Sequence, residues 1–145
     1  MRGPESSLSG RCLCGAITYS VAADPLFTAV CHCKDCQRQS AAAFSIVVGV
    51  PRAAFQLEGD TLKSFTTVGE DHGGENKRHF CGECGSPIYT ANEHWPDVYI
   101  VKAGTLDDTS SLQPQLEIWT DSAQPWTERF TDRPSIPRDP QPQAS

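Results

Sequence analysis

Seven cysteines in 145 residues fall into three groups, and this grouping constrains the chain more than any other feature: C-x-C at Cys12 and Cys14, C-x-C-x-x-C at Cys31, Cys33 and Cys36, and C-x-x-C at Cys81 and Cys84. An odd number cannot pair completely as disulfides. The N-terminal MRGPESSLSG has no apolar stretch of the kind that begins a secretory signal, so the chain is expected to work in a reducing, cytoplasmic setting. There thiols stay free unless a metal or a reaction uses them, and clusters this dense point to metal.

A structural zinc takes four protein ligands, whereas a catalytic zinc takes three and leaves a position for water or substrate. Seven divides into four and three. The simplest partition gives Cys12, Cys14, Cys81 and Cys84 to a closed site and Cys31, Cys33 and Cys36 to an open one, with two zinc ions per chain as the expected cofactors. A glycine follows each pair of the closed site, Gly15 and Gly85, where a tight turn can bend the backbone back towards sulfur. Two alternatives stay open. Cys33 and Cys36 could join Cys81 and Cys84 as a zinc ribbon, leaving Cys12, Cys14 and Cys31, or one of His32, His72, His79 and His94 could close the triplet. His32 itself lies between two cysteines. In an extended C-x-C its ring points away from their side, so it is expected at the surface or packed elsewhere.

The rest of the chain reads as mainly β with little helix. Its 11 Gly and 11 Pro favour turns and short elements, and period-two alternation places Ile17, Tyr19 and Val21 on one face and Phe44, Ile46, Val48 and Val50 on another. These two runs are expected to be half-buried strands. Further strands are expected at 62–67, 87–90, 98–103 and 116–120, six or seven in all, and a short helix at 34–43. Residues 1–7 read as a flexible N-terminus within a loose ten-residue lead-in, 8–131 as one zinc-binding domain, and 132–145 as a proline-rich tail that is disordered or draped on the surface. Trp95, Trp119 and Trp126 are expected in the core or a cavity wall. No apolar run reaches the length of a membrane span, and a net charge of -6 with scattered Lys and Arg disfavours nucleic acid as a partner.

The order Gly10-Arg-Cys-Leu-Cys-Gly-Ala16, then CHCKDCQRQS, then Val50-Pro-Arg52, then Phe80-Cys-Gly-Glu-Cys-Gly-Ser-Pro87 resembles the glutathione-dependent formaldehyde-activating enzyme family, whose domain is shared with centromere protein V. Ile118-Trp119 and Pro125-Trp126 are similar to that family's C-terminal segment, so the resemblance spans residues 8 to 131. It implies an Mss4-like fold of small β-sheets with zinc-binding knuckles, a four-cysteine structural zinc at Cys12, Cys14, Cys81 and Cys84, and a catalytic zinc held by Cys31, Cys33 and Cys36. One departure stands out. Where the family usually has a Ser-Gly pair after CHCxxC, this chain has Ser40 and Ala41.

Three thiolates around Zn(II) leave a formal charge of -1, which weakens the ion as an activator of water and suits a soft fourth ligand such as a thiolate. With the resemblance, this implies a carbon-sulfur lyase of the S-(hydroxymethyl)glutathione synthase type. Its partner would be a small thiol, possibly glutathione, and a small aldehyde such as formaldehyde. Lys34, Arg38 and Arg52 are candidates to meet the thiol's carboxylates. The competing expectation is a non-enzymatic module in which zinc serves folding and the surface binds another protein.

Overall fold

The computed structural model describes residues 7–69, 71 and 73–140. Its strands are β1 (Leu8–Arg11), β2 (Thr18–Val21), β3 (Phe27–Cys31), β4 (Ser45–Pro51), β5 (Phe55–Glu58), β6 (Leu62–Val68), β7 (Glu75–Cys81), β8 (Pro87–Asn92), β9 (Val98–Lys102) and β10 (Leu116–Ile118). The one α-helix among the described residues, α1 (Lys34–Ser40), follows β3. The strands form a three-stranded sheet, β1-β2-β5, and a seven-stranded sheet, β10-β3-β4-β9-β8-β7-β6. All neighbours pair antiparallel except β10, which runs parallel to β3.

The core lies between the sheets. Ile17, Tyr19 and Val21 face inward as their alternation predicts, and meet Val48, Val50, Ile88 and Val101 of the larger sheet. Tyr19, Phe55, Tyr89 and Tyr99 stack or tilt against one another at this junction, with centroid separations of 4.6–5.4 Å for the linked pairs. The tryptophans are not part of it. Trp95 and Trp119 are half-buried and Trp126 is 73% exposed, because the core is already filled by aliphatic side chains and this aromatic cluster. The expected tryptophan core or cavity wall is thus corrected.

Ten strands rather than six or seven are found among the described residues. The sequence reading passed over β1, β3, β5 and β7. Residues 8–10, read as lead-in, pair with β2 through Leu8↔Val21 to Gly10↔Tyr19. β7 carries Lys77, Arg78 and His79, which masked its strand pattern, yet it pairs along its whole length with β6. β4 is also more than half-buried, since it runs between β3 and β9 inside the large sheet and buries Ser45 and Val47 as well as Val48 and Val50.

The helix stops three residues earlier than expected. Ala41 turns left-handed at φ 54° and its N–H reaches the Gln37 carbonyl, while the Ser40 hydroxyl donates to the Cys36 carbonyl at 2.7 Å. This chain makes the turn without glycine, the residue that adopts it most easily. At the other end of the chain, residues 134–138 lie beside β10. The Glu117 N–H donates to the Pro134 carbonyl at 3.0 Å and the Ile136 N–H donates to the Glu117 carbonyl at 2.8 Å.

Candidate metal centre and adjoining cavity

The chain brings its cysteines together in two groups. Sulfurs of Cys12, Cys14, Cys81 and Cys84 all lie within 4.8 Å of one another, and so do those of Cys31, Cys33 and Cys36. Cys33 and Cys36 therefore do not join Cys81 and Cys84, and the zinc-ribbon alternative is set aside.

The four-sulfur group is assembled from two turns far apart in sequence. Gly15 (φ 82°) and Gly85 (φ 80°) are both left-handed, and their N–H groups close the turns onto the carbonyls of Cys12 and Cys81 at 3.2 and 2.8 Å. The Leu13 N–H donates to the Ser86 hydroxyl at 3.0 Å, which fastens one turn to the other. The Ile17 N–H points at Cys12 Sγ at 3.3 Å, and hydroxyls of Thr61 and Ser86 lie 3.3 and 3.2 Å from the sulfurs of Cys81 and Cys84. The Ser86 hydroxyl and N–H, together with the Cys14 backbone N–H, pull the Cys84 thiol down to about 5; the Ala16 N–H pulls the Cys14 thiol down, but hydrogen bonds with Cys12, Cys84 and Cys81 together with desolvation outweigh it and push it up to about 12. Four sulfurs at about 2.3 Å from a common centre stand about 3.8 Å apart in a tetrahedron. The Cys12–Cys14 and Cys14–Cys81 separations are 3.6 and 3.8 Å. The donor set and its spacing fit zinc.

The three-sulfur group is local. Cys31 ends β3, Cys33 caps α1 by accepting from the Cys36 N–H at 3.2 Å, and Cys36 lies in the first turn of the helix. Cys31 and Cys36 are buried. Hydrogen bonds with Cys33 and Cys36, then burial, hold the Cys31 thiol well above its usual value. Contact with Cys31 lowers Cys33, but Cys36 and burial outweigh it and push Cys33 up to about 11. Hydrogen bonds from Cys31 and Cys33 hold Cys36 well below its ordinary value, against burial and with help from the positive charges of Lys102 and Arg78. Three crowded thiols cannot all ionise without a cation to balance them, and a divalent metal supplies that balance.

No histidine joins either group among the described residues. His32 is fully buried with its Nε2 2.8 Å from Glu117 Oε1, facing away from the sulfurs as the extended C-x-C requires. His79 stacks on Tyr89 at 4.3 Å, and His72 lies outside the described residues. Glu117 is 2% exposed and its other oxygen accepts from Arg129 Nε and the Phe130 N–H, each at 3.1 Å. Burial raises the Glu117 carboxyl, but hydrogen bonds from His32, Arg129 and Phe130 outweigh it and hold it below the usual carboxylate value.

A cavity of about 670 Å³ has Phe44, Ser45, Ile46, Ser86, Lys102 and Leu112 in its wall; none of the cysteines lines it, and Lys102 links it to the three-sulfur group while Ser86 touches Cys84 of the other. Lys102 is 7% exposed, with Nζ 3.9 Å from Cys36 Sγ and 3.2 Å from Ser45 Oγ. Sequence reasoning missed Lys102, Ser45 and Glu117. The cations it offered lie elsewhere: Lys34, Arg38 and Arg52 are exposed and none lines this cavity, Arg52 lying over the Tyr99 ring instead. The only hint available was a lysine closing an apolar run, Val-Tyr-Ile-Val-Lys, at a strand end.

Residues 7–122 match the family of glutathione-dependent formaldehyde-activating enzymes, and the chain belongs to that family. The crystal structure of a protein from Rhodobacter sphaeroides is similar in fold at a TM-score of 0.57 and 19% identity, covering 88% of this chain and 99% of that one. No curated protein matches the chain.

Proposed function

We propose that the protein is a zinc-dependent carbon-sulfur lyase that joins a small thiol to a small aldehyde and runs the reaction in reverse, as in S-(hydroxymethyl)glutathione synthesis. The observation that carries this reading is the three-sulfur group of Cys31, Cys33 and Cys36, which gathers no fourth Cys, His, Asp or Glu among the described residues and is linked through Lys102 to a cavity. Bound there, zinc would take an incoming thiol as its thiolate and leave it nucleophilic. Membership of a formaldehyde-activating family supports the aldehyde half. Cys12, Cys14, Cys81 and Cys84 would hold a second zinc whose work is structural, so that each chain carries two, within a domain of residues 8–131. A cytoplasmic setting fits the thiol chemistry.

The chain's own residues would divide the work. The buried Lys102 donates towards Cys36 and tempers the negative charge of the sulfurs. Glu117 fixes His32, and with it the backbone between Cys31 and Cys33. Phe44, Ile46 and Leu112 give the cavity apolar walls that keep bulk water from competing with the thiol.

Cobalt substitution tests the reading. Sulfur-to-cobalt charge transfer grows with the number of thiolates bound, so glutathione should intensify the band of the three-sulfur site and leave the four-sulfur site unchanged. An unaltered spectrum at millimolar thiol would place the protein with the non-enzymatic zinc modules instead.

A further inference from the structure

β-Strand register sets a pair of polar residues next to the sulfurs. Cys31 of β3 faces Ser45 of β4, and Lys102 of β9 faces Val47, two residues further along the same strand. Side chains alternate along a strand, so Cys31, Ser45 and Lys102 share one face of the large sheet. Burying an ammonium is costly unless something negative answers it. Among the described residues no carboxylate pairs with Lys102; its partners are Cys36 Sγ and Ser45 Oγ.

An ammonium carries three donors, and these two contacts use two of them. Ser45 accepts from Lys102, which leaves the serine's own hydrogen to be donated. Both residues line the cavity, and Lys102 is the one charged residue in its wall among those described. Two donors thus converge beside the sulfurs in a setting of low polarity, where they act most strongly on negative charge.

We propose that Lys102 and Ser45 hold an anionic oxygen close to the sulfur of the substrate, so that the cavity selects small thiols carrying a single negative oxygen. The inference rests on the thiol chemistry proposed for Cys31, Cys33 and Cys36. Two sources share the required chemistry. One is the adduct itself: as sulfur adds to an aldehyde carbon the carbon-sulfur bond forms, the carbonyl π pair moves onto oxygen, and the proton lost by the thiol finally neutralises that oxygen. The other is a carboxylate on the thiol, as in a mercapto acid. Glutathione, with two carboxylates and an ammonium, would have to keep most of its charge outside the cavity.

Calorimetric titration of the zinc-reconstituted chain with mercaptoacetate and with ethanethiol, corrected for thiol ionisation, provides the test. Mercaptoacetate should bind about tenfold tighter than ethanethiol, the worth of one charge-assisted hydrogen bond. Lys102→Met should collapse that ratio towards one, Lys102→Arg should restore part of it, and Ser45→Ala should reduce it by a smaller factor. The two sources separate in turnover of ethanethiol with formaldehyde. If Lys102→Met lowers kcat by about a hundredfold with little change in KM, the adduct oxygen is the one held. If it leaves that reaction's kcat in place and the loss is confined to affinity for mercaptoacetate, the carboxylate is. A ratio of one in the unaltered protein, or equal weakening of both thiols by Lys102→Met, would overturn the proposal when Lys102→Met also leaves kcat for ethanethiol and formaldehyde unchanged, with thiol binding itself intact. Failure of either thiol to bind the unaltered protein would remove the underlying reading as well. Should circular dichroism show Lys102→Met to be unfolded, Ser45→Ala and Lys102→Arg decide the matter.

Discussion

The two cysteine groups offer the same ligand atoms from opposite arrangements of the chain. Cys14 and Cys81, which touch in the four-sulfur group, stand 67 residues apart in sequence, and their turns join the small sheet to the large one. Cys31, Cys33 and Cys36 occupy a single strand-to-helix turn. A metal in the first group closes a long loop and fixes sheet against sheet, whereas a metal in the second organises a loop that β3 and α1 already position. Under the function proposed above, distance along the chain is what would separate a ligand set that serves folding from one free to serve chemistry.

Substitution of one ligand in each group is the most severe way to break this comparison. Cys84→Ser should leave the chain insoluble or unfolded, because zinc at a non-local site contributes folding energy comparable with the about 5–15 kcal/mol that stabilises a whole domain. Cys36→Ser should give a folded chain that binds one zinc by plasma emission and no longer responds to thiols. Equal loss of structure in both, read by circular dichroism, would erase the distinction. Chelation should sharpen it next. With a chromogenic chelator, zinc should leave in two phases, the first from the three-sulfur site without loss of the far-ultraviolet signal and the second with unfolding; a single phase would count against it.

A smaller effect probes how the local group is held. Glu117→Ala should cost about 3–5 kcal/mol in denaturant unfolding, since it strips the partners from buried His32 and from Arg129. The folded Glu117 carboxyl lies below its ordinary value of 4.5, so its contribution is full above that value and is lost as pH falls through the folded value. The pH dependence of stability below about 5 should therefore flatten in this variant. The smallest effect concerns the turn that ends α1. Ala41→Gly should raise stability by about 0.5–1 kcal/mol by relieving a left-handed alanine at φ 54°, less what glycine adds to unfolded-chain entropy. No gain in melting temperature would mean that the turn is unstrained.

Much of this division was already legible in the sequence. Ligand spacing, the odd count of cysteines and the glycines after Cys14 and Cys84 are local properties, and they separate the pairs from the triplet without knowledge of the fold. Alternation exposed Ile17, Tyr19 and Val21 as an inward face for the same reason: a strand's two faces differ at every second residue. β7 was hidden because Arg78 is a buried strand residue whose charge is met by the Thr67 hydroxyl, the Gln39 side chain and Asp35, partners that only folding supplies. Lys102 and Glu117 escaped on similar grounds. Each looks like an ordinary charge at a strand, and their meaning depends on Cys36, 66 residues from Lys102, and on His32, 85 residues from Glu117. Sequence by itself determined which residues can hold metal, because ligand chemistry is carried by residue type and spacing. Only the tertiary structure decided which charges stand beside them, because strand register brings together residues that no local pattern relates.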